Sequence, residues 1–249
     1  MKALLTGASS GIGRDMARVL ARYGIDLILV ARRINRLQEL KQALPVHVDI
    51  ICMDLSDETN CRMLYERTRY EQIDILINNA GFGLGGAFVD TDLERELEMI
   101  NTNIKAVHIL TKFFLKDFVE KDYGYILNVA SSAAFLPGPL MATYYSTKAY
   151  VRQLSLSIDK ELRKAGSHVY ISALCPGPVQ TEFSQVAKVT FAMKGKTSME
   201  VAKQGIDEMF AQHRQIIPGS LMKVSYMLTK LLPLALLLEV SYHIQKRKN

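Results

Sequence analysis

Cysteine is scarce in this sequence. The three that occur, Cys52, Cys61 and Cys175, are odd in number and lack ligand-like spacing. That argues against a disulfide framework and a structural metal, and for a reducing, cytoplasmic setting. Low-complexity runs are missing, and no Pro/Gly/Ser-rich stretch interrupts the chain, so no flexible linker is expected. A clean apolar run of roughly 20 residues, the length a spanning helix needs, is also lacking. Strand-like sequence starts at Lys2, directly after Met1, which leaves no room for a leader peptide. Excess charge is missing from most of the chain. From Leu221 onward Lys223, Lys230, Lys246, Arg247 and Lys248 stand against Glu239 alone, so this tail carries +4 of the net +6. The near-neutral body is a poor nucleic-acid surface, because that binding rests on many phosphate contacts.

What fills the 249 residues is a regular alternation of short apolar runs and longer stretches of helical period. Strands are expected at Lys2–Leu5, Ile25–Val30, Val46–Met53, Ile73–Ile77, Gly124–Val129, His168–Leu174 and near Gln215–Ile217. Most are continuously hydrophobic, the pattern of strands covered on both faces. Between them Ile12, Met16, Val19, Leu20 and Tyr23 mark one apolar helix face, and Ile34, Leu37 and Leu40 a weaker one. Ile104, Val107, Leu110, Phe114 and Phe118 mark another, as do Val151, Leu154, Ile158 and Leu162. The alternation predicts an α/β fold: a doubly wound parallel sheet of about seven strands, Rossmann-like, in three α/β/α layers with right-handed crossovers. We read one domain over 1–249, with 220–249 as a basic, Leu-rich helical extension. Ligands in such folds sit beyond the carboxyl ends of the strands.

The first strand runs into Thr6-Gly7-Ala8-Ser9-Ser10-Gly11-Ile12-Gly13 and then a helix. Gly7 permits a tight turn, Gly11 lets backbone approach a pyrophosphate, and Gly13 lets the helix pack on the strand. The helix N-terminus adds N–H groups and partial positive charge. Glycines also serve plain turns; the placement between first strand and first helix is what favours a dinucleotide loop. The second strand ends in Ala31-Arg32-Arg33, where an NAD-binding protein usually presents an acid to the ribose. Guanidinium groups there grip a 2′-phosphate, so NADP(H) is favoured over NAD. Arg14 and Arg36 are secondary candidates for the same phosphate.

Tyr144 and Lys148 stand four residues apart on one helical face. A lysine beside a phenol favours the phenolate and brings proton exchange closer to neutral pH. Tyr-x-x-x-Lys alone is a common accident. Here Asn78-Asn79-Ala80-Gly81, Asn128-Val129-Ala130-Ser131-Ser132 and Cys175-Pro176-Gly177-Pro178-Val179-Gln180-Thr181 each follow an expected strand, with Ser131 thirteen residues before Tyr144.

With these motifs, from Thr6 to Thr181, the chain resembles the short-chain dehydrogenase/reductase superfamily in its single-domain branch. The resemblance implies a catalytic tetrad of Asn, Ser, Tyr and Lys, the last two mapping onto Tyr144 and Lys148. Ser131 is preferred over Ser132 by its spacing, with Ala134 replacing the family's Gly. Asn103 is preferred over Asn101 because Asn103-Ile104-Lys105-Ala106 is closer to the family's Asn-Leu-x-Gly, Ala106 being a mild departure. The resemblance further implies that Gly7, Ser9, Ser10, Gly11, Ile12 and Gly13 hold the pyrophosphate end, Arg32 and Arg33 the 2′-phosphate, and Asp54 and Leu55 the adenine. Asn79, Ala80 and Gly81 would line the ribose, Lys148 would bind the nicotinamide ribose, and Pro176, Gly177, Val179 and Thr181 would frame the nicotinamide. It implies an NADP(H)-dependent interconversion of carbonyl and alcohol on a small molecule, without metal, in a homo-oligomer. A 3-oxoacyl-thioester reductase and a non-catalytic NADP(H) sensor are the alternative functions.

Two segments stay open on the sequence. Phe82, Phe135, Leu136, Pro137, Leu140, Met141, Phe183, Phe191 and Met193 either line a hydrophobic substrate pocket or simply pack beneath loops. The tail departs from the family's usual ending: leucine-rich sequence from Tyr226 to Tyr242 is broken by Pro233. We read it as a helical pair covering the pocket or making a subunit contact, ahead of a membrane-surface segment.

Overall fold

The apolar runs form strands and the periodic stretches form helices in a computed structural model that describes residues 1–187 and 195–246. Lys2–Thr6 (β1), Asp26–Ala31 (β2), Val48–Cys52 (β3), Ile75–Asn78 (β4), Gly124–Val129 (β5) and Val169–Leu174 (β6) match the expected strands within two residues at most termini. Val179–Gln180 (β7) and Lys196–Thr197 (β8) make a small parallel pair of their own, and Gln215–Ile216 (β9) closes the main sheet. The main sheet has seven parallel strands in the order β3-β2-β1-β4-β5-β6-β9. The chain therefore winds outward from β1 to β3, then returns to β4 on the other side of β1. That reversal opens a crevice at the carboxyl ends of β1 and β4.

Strand residues alternate between the two faces. In β1, Ala3 and Leu5 join one apolar cluster while Leu4 joins the other; in β4, Ile75 and Ile77 are on the first side and Leu76 on the second. Both sides are buried, which is why these strands read as unbroken hydrophobic runs. Helices α1 (Gly11–Arg22), α2 (Ile34–Gln42) and α8 (Ser198–Phe210) cover the first face. Helices α3 (Glu58–Thr68), α5 (Val107–Glu120) and α6 (Ala142–Lys164) cover the second. The remaining helices are α4 (Leu93–Ile100), the short α7 (Phe183–Val186), α9 (Ser220–Leu231) and α10 (Leu234–Lys246). Among the described residues no helix is long and apolar enough to cross a membrane.

Most residues of the expected helix faces are buried or half-buried, and two are exposed. Met16, Val19, Leu20, Leu37 and Leu40 lie in the core, whereas Tyr23 and Ile34 are exposed. Tyr23 falls one residue beyond the end of α1. Its ring packs edge-on against Phe210 at 5.7 Å and its hydroxyl donates to Asp207 at 2.7 Å. Ile34 opens α2, so it has no turn before it to sit under. The buried carboxylate of Asp15 joins α1 to α8 by accepting from Arg14 and Arg18, each at 3.0 Å, and from the Ser198 hydroxyl. Burial opposes its charge, but these hydrogen bonds and guanidinium groups outweigh that and lower its pKa.

Candidate active site

The glycine loop leaves β1 with Gly7 at φ 66° and Gly11 at φ 52°, conformations that side-chain-bearing residues rarely adopt. A Cβ on Gly13 would drive into the Asn79 amide and the Gly7 carbonyl, and one on Gly7 into Asn79 and Ala80. The loop is held against the segment after β4. Thr6 Oγ1 accepts from the N–H groups of Asn79 and Ala80 at 3.0 and 3.1 Å, and Asn79 Nδ2 donates to the carbonyls of Thr6 and Gly7, both at 3.1 Å. Thr181, at the other wall, packs on Gly11: its Cγ2 would be 3.0 Å from a Cβ placed there.

Ser10 is the N-cap of α1, yet its side chain makes no cap hydrogen bond. Its hydroxyl accepts instead from Arg33 Nη2 at 2.7 Å, and Ser9 Oγ accepts from Arg33 Nε at 3.2 Å. The first N–H groups of α1 thus lack a side-chain cap, beside a guanidinium and three glycines. Free helix N–H groups beside glycines suit a dinucleotide pyrophosphate, so the residues fit a nicotinamide dinucleotide. Arg32 lies on the far side, donating from Nη1 to Glu98 at 3.2 Å and to Asp54 at 3.4 Å. Asp54 also accepts from Ser56 N at 2.9 Å, while Leu55 is buried in the core. Arg14 is turned onto Asp15.

One partner here had no sequence signal. Glu182 accepts from Arg33 at 2.8 Å and from Arg36 at 3.1 Å, tying the segment after Thr181 across to the start of α2. The hydrogen bond from Arg33 and the two guanidinium charges outweigh partial burial and lower the Glu182 pKa.

The catalytic candidates converge from the segments that follow β4 and β5. Tyr144 and Lys148 lie on the first turns of α6, both buried, with Lys148 Nζ 6.0 Å from the Tyr144 ring centre. Lys148 Nζ donates to the carbonyl of Val129, the last residue of β5, at 2.8 Å. Ser131 follows two residues on; its hydroxyl accepts from Ala133 N at 3.1 Å and its side chain favours the ionised form of the Tyr144 hydroxyl. Ser132 instead spends its N–H on the Pro176 carbonyl at 2.8 Å. Of the two serines, it is the Ser131 side chain that bears on the Tyr144 hydroxyl, partly opposing the effect of burial on it.

Asn103 lies fully buried in a π-helical segment, Asn101–Ala106, between α4 and α5. Its amide donates to Phe82 O at 2.9 Å and to Thr147 Oγ1 at 3.0 Å, and accepts from Phe82 N at 3.1 Å. Thr147 Oγ1 in turn donates to the Tyr144 carbonyl at 2.7 Å. Asn103 thereby joins the segment after β4 to the turn of α6 that carries the Tyr–Lys pair. A π-bulge of this kind is frequent at functional sites. Gly81 lies between the groups, since a Cβ there would meet Asn103 Oδ1 at 2.8 Å and Lys148 Nζ at 3.5 Å.

The expected lowering of the Tyr144 pKa does not occur. Burial pushes the hydroxyl well above its usual value, and the Ser131 hydrogen bond only partly opposes this. The lysine gives little help because burial pulls its own pKa down to about 8, against a weak opposing influence of Cys175. The folded pKa of Lys148 thus lies below the 10.5 of a solvated lysine, so its burial costs stability fully below pH about 8 and progressively less up to about 10.5. Lys148→Met should accordingly raise Tm by several degrees at neutral pH, roughly 2–8 °C. Melting curves from pH 6 to 11 should show that gain shrinking above pH 8; a gain independent of pH would contradict the assignment.

Of the suggested pocket residues, Phe82, Met141 and Phe183 gather with Tyr144, the Phe183 ring lying 5.2 Å from the Tyr144 ring. Phe135 turns away to pack against Tyr226 of α9, the rings tilted by 43° with centres 4.5 Å apart. Leu140 adopts φ 63°, and its carbonyl accepts from Gly86 N at 2.8 Å. Leu136 and Pro137 border this loop; Phe191 and Met193 lie outside the described residues. Pro176 and Val179 are buried, and a Cβ on Gly177 would run into Met222 of α9. The tail supplies a partner that the sequence did not point to. Gln245 of α10 is buried and donates to the hydroxyl of Tyr145, whose ring lies 6.2 Å from that of Tyr144.

Residues 1–190 match the family model described as short chain dehydrogenase. The NADP-dependent 3-hydroxy acid dehydrogenase YdfG of Escherichia coli K12 is 36% identical over 190 residues, 75% of this chain and 76% of its own. The very-long-chain 3-oxoacyl-CoA reductase-B of Danio rerio is 30% identical over 246 residues, 94% of this chain and 77% of its own. Among solved structures, a short-chain dehydrogenase from Sphingobium yanoikuyae in complex with NADPH superposes with a TM-score of 0.82 at 30% identity, covering 93% of this chain and 96% of that one. Nicotinamide dinucleotides are the cofactors of the family to which these proteins belong. The chain is a member of the short-chain dehydrogenase family of oxidoreductases.

Proposed function

We propose that the protein is an NADP(H)-dependent carbonyl reductase acting on a hydrophobic small molecule. One observation carries this reading: the buried Tyr144 stands one helical turn from Lys148 and is packed among Phe82, Met141 and Phe183, where burial favours the protonated phenol. A neutral phenol in an apolar pocket is a general acid for a carbonyl oxygen. When bound, the dihydronicotinamide supplies a hydride to the carbonyl carbon.

The protein's own residues do the rest. The glycine loop and the N-terminus of α1 hold the pyrophosphate, Arg32 and Arg33 the 2′-phosphate, and Asp54 and Leu55 border the adenine. Asn79, Ala80 and Gly81 line one ribose, Lys148 binds the other, and Pro176, Gly177, Val179 and Thr181 frame the nicotinamide. Ser131 Oγ orients the substrate oxygen, and Tyr144 passes its phenolic proton to that oxygen. Asn103 fixes the turn bearing both Tyr144 and Lys148, through which the phenol recovers a proton from solvent.

A 3-oxoacyl thioester is the second substrate class, favoured by the activity that the similar fish protein is named for. The test is a panel of bulky ketones, aldehydes and 3-oxoacyl thioesters followed by loss of NADPH absorbance. Turnover on either class supports the reading and selects the substrate. NADPH binding without turnover on any member would make the chain a sensor.

Glu182 competes for the same guanidinium groups as the 2′-phosphate. Glu182→Gln should therefore tighten NADPH about twofold to fivefold, the worth of partly exposed ion pairs, and leave NADH unchanged. Titration by cofactor fluorescence reads this directly, and weaker NADPH binding would count against the phosphate assignment.

A further inference from the structure

Helices α9 and α10 are amphipathic the wrong way round for a helix pair that ends at the domain surface. In α10 the side chains turned inward are Leu237, Ser241 and Gln245, two of them polar, while Leu236, Val240 and Ile244 are about half exposed. In α9, Met222, Tyr226 and Thr229 face the body, and Leu221, Val224, Leu228 and Leu231 point outward at helical spacing. The connection between them, Leu231-Leu232-Pro233-Leu234, is apolar as well. Leu231 is 78% exposed and Leu234 61%. Surface connections are ordinarily polar, and an apolar patch of this extent on a soluble surface marks an interaction site.

The charges around the patch say what covers it. Lys223, Lys230 and Lys246 are exposed along the pair, Arg247 and Lys248 follow in sequence, and Glu239 is the single acidic residue from Ser220 to the end. A second copy of the chain would meet this face across a two-fold axis, setting lysines against their own images. An anionic lipid surface meets both the leucines and the lysines with their complements. The helices are 12 and 13 residues long, enough to lie in an interface and too short to span one.

We propose that α9, α10 and the leucine-rich turn between them dock the protein on an anionic membrane surface. The inner sides of the same helices touch the candidate site: Met222 lies over Gly177, and Gln245 on Tyr145. The docked face thus puts the pocket wall next to the lipid phase in which an apolar carbonyl compound concentrates. Only this last point rests on the proposed function; docking itself does not.

The experiment is co-sedimentation of the full chain with vesicles of phosphatidylcholine, with and without a minority of phosphatidylglycerol. The protein is expected to sediment with the anionic vesicles and to be released in part by high salt. Leu231→Ser with Leu234→Ser should cut partitioning on the order of tenfold. Lys223→Gln and Lys230→Gln should each cut it about fivefold. Neither set touches the catalytic candidates, so an unchanged Tm and unchanged cofactor binding show intact folding. Wild-type protein that stays in the supernatant, or variants that bind as wild type does, would overturn the proposal. So would a dimer in sedimentation velocity that Leu231→Ser with Leu234→Ser dissociates without any vesicle binding, which would assign the face to a second copy.

Discussion

Tyr144→Phe is expected to lower kcat for carbonyl reduction on the order of 10³-fold while leaving the Kd for NADPH within about twofold of wild type. The substitution removes one oxygen from a buried ring that otherwise keeps its packing against Phe183 and Tyr145. It takes away the proton that the substrate oxygen needs, without opening a cavity. Because burial holds the hydroxyl protonated well past neutral pH, reduction by wild type should not decline between pH 6 and 8 through titration of Tyr144. A decline above pH 8 is expected as Lys148, at about 8, loses the proton it relays. Steady-state kinetics across that range checks both parts. An active Tyr144→Phe variant would remove the phenol from the chemistry.

The second large effect falls on cofactor choice. Replacing Arg32 and Arg33 together with Ala should weaken NADPH on the order of 10²-fold and NADH by less than about threefold, because each charged hydrogen bond to a phosphate is worth about 1.5–3 kcal/mol. The two side chains approach from different sides, Arg33 across Ser9 and Ser10, and Arg32 beside Asp54 and Glu98. Arg32→Ala alone should therefore give an intermediate loss, about tenfold, confined to NADPH. Equal losses for the two cofactors would mean that the arginines serve the loop and not the phosphate. Paired binding titrations of each variant decide this.

Much of this was legible in the sequence because it is local. Seven apolar runs became the seven strands of the main sheet, Tyr144 and Lys148 share a helix face by spacing, and the glycine loop lies between β1 and α1. What was hidden depends on residues far apart in the chain. The π-helical turn at Asn103 is held by Phe82 and Thr147, and Glu182 reaches Arg33 and Arg36 from the opposite side of the crevice. Gln245 meets Tyr145 across 100 residues. The Tyr144 pKa was misread for a related reason. Spacing shows that a lysine is near, but only the fold shows that both groups are desolvated and that Lys148 spends its ammonium on Val129. The sequence of the tail leaves a pocket cover, a subunit contact and a membrane-surface segment as alternatives, and which leucines face outward emerges only when the helices are packed.

The most direct test of the central claim follows the hydride itself. NADPH deuterated at the transferred position of the nicotinamide is incubated with the protein and the carbonyl panel, and the products are weighed by mass spectrometry. One deuterium is expected at the carbinol carbon of the product alcohol, lost with Tyr144→Phe although NADPH still binds. Tight NADPH binding with no deuterium in any product would contradict it.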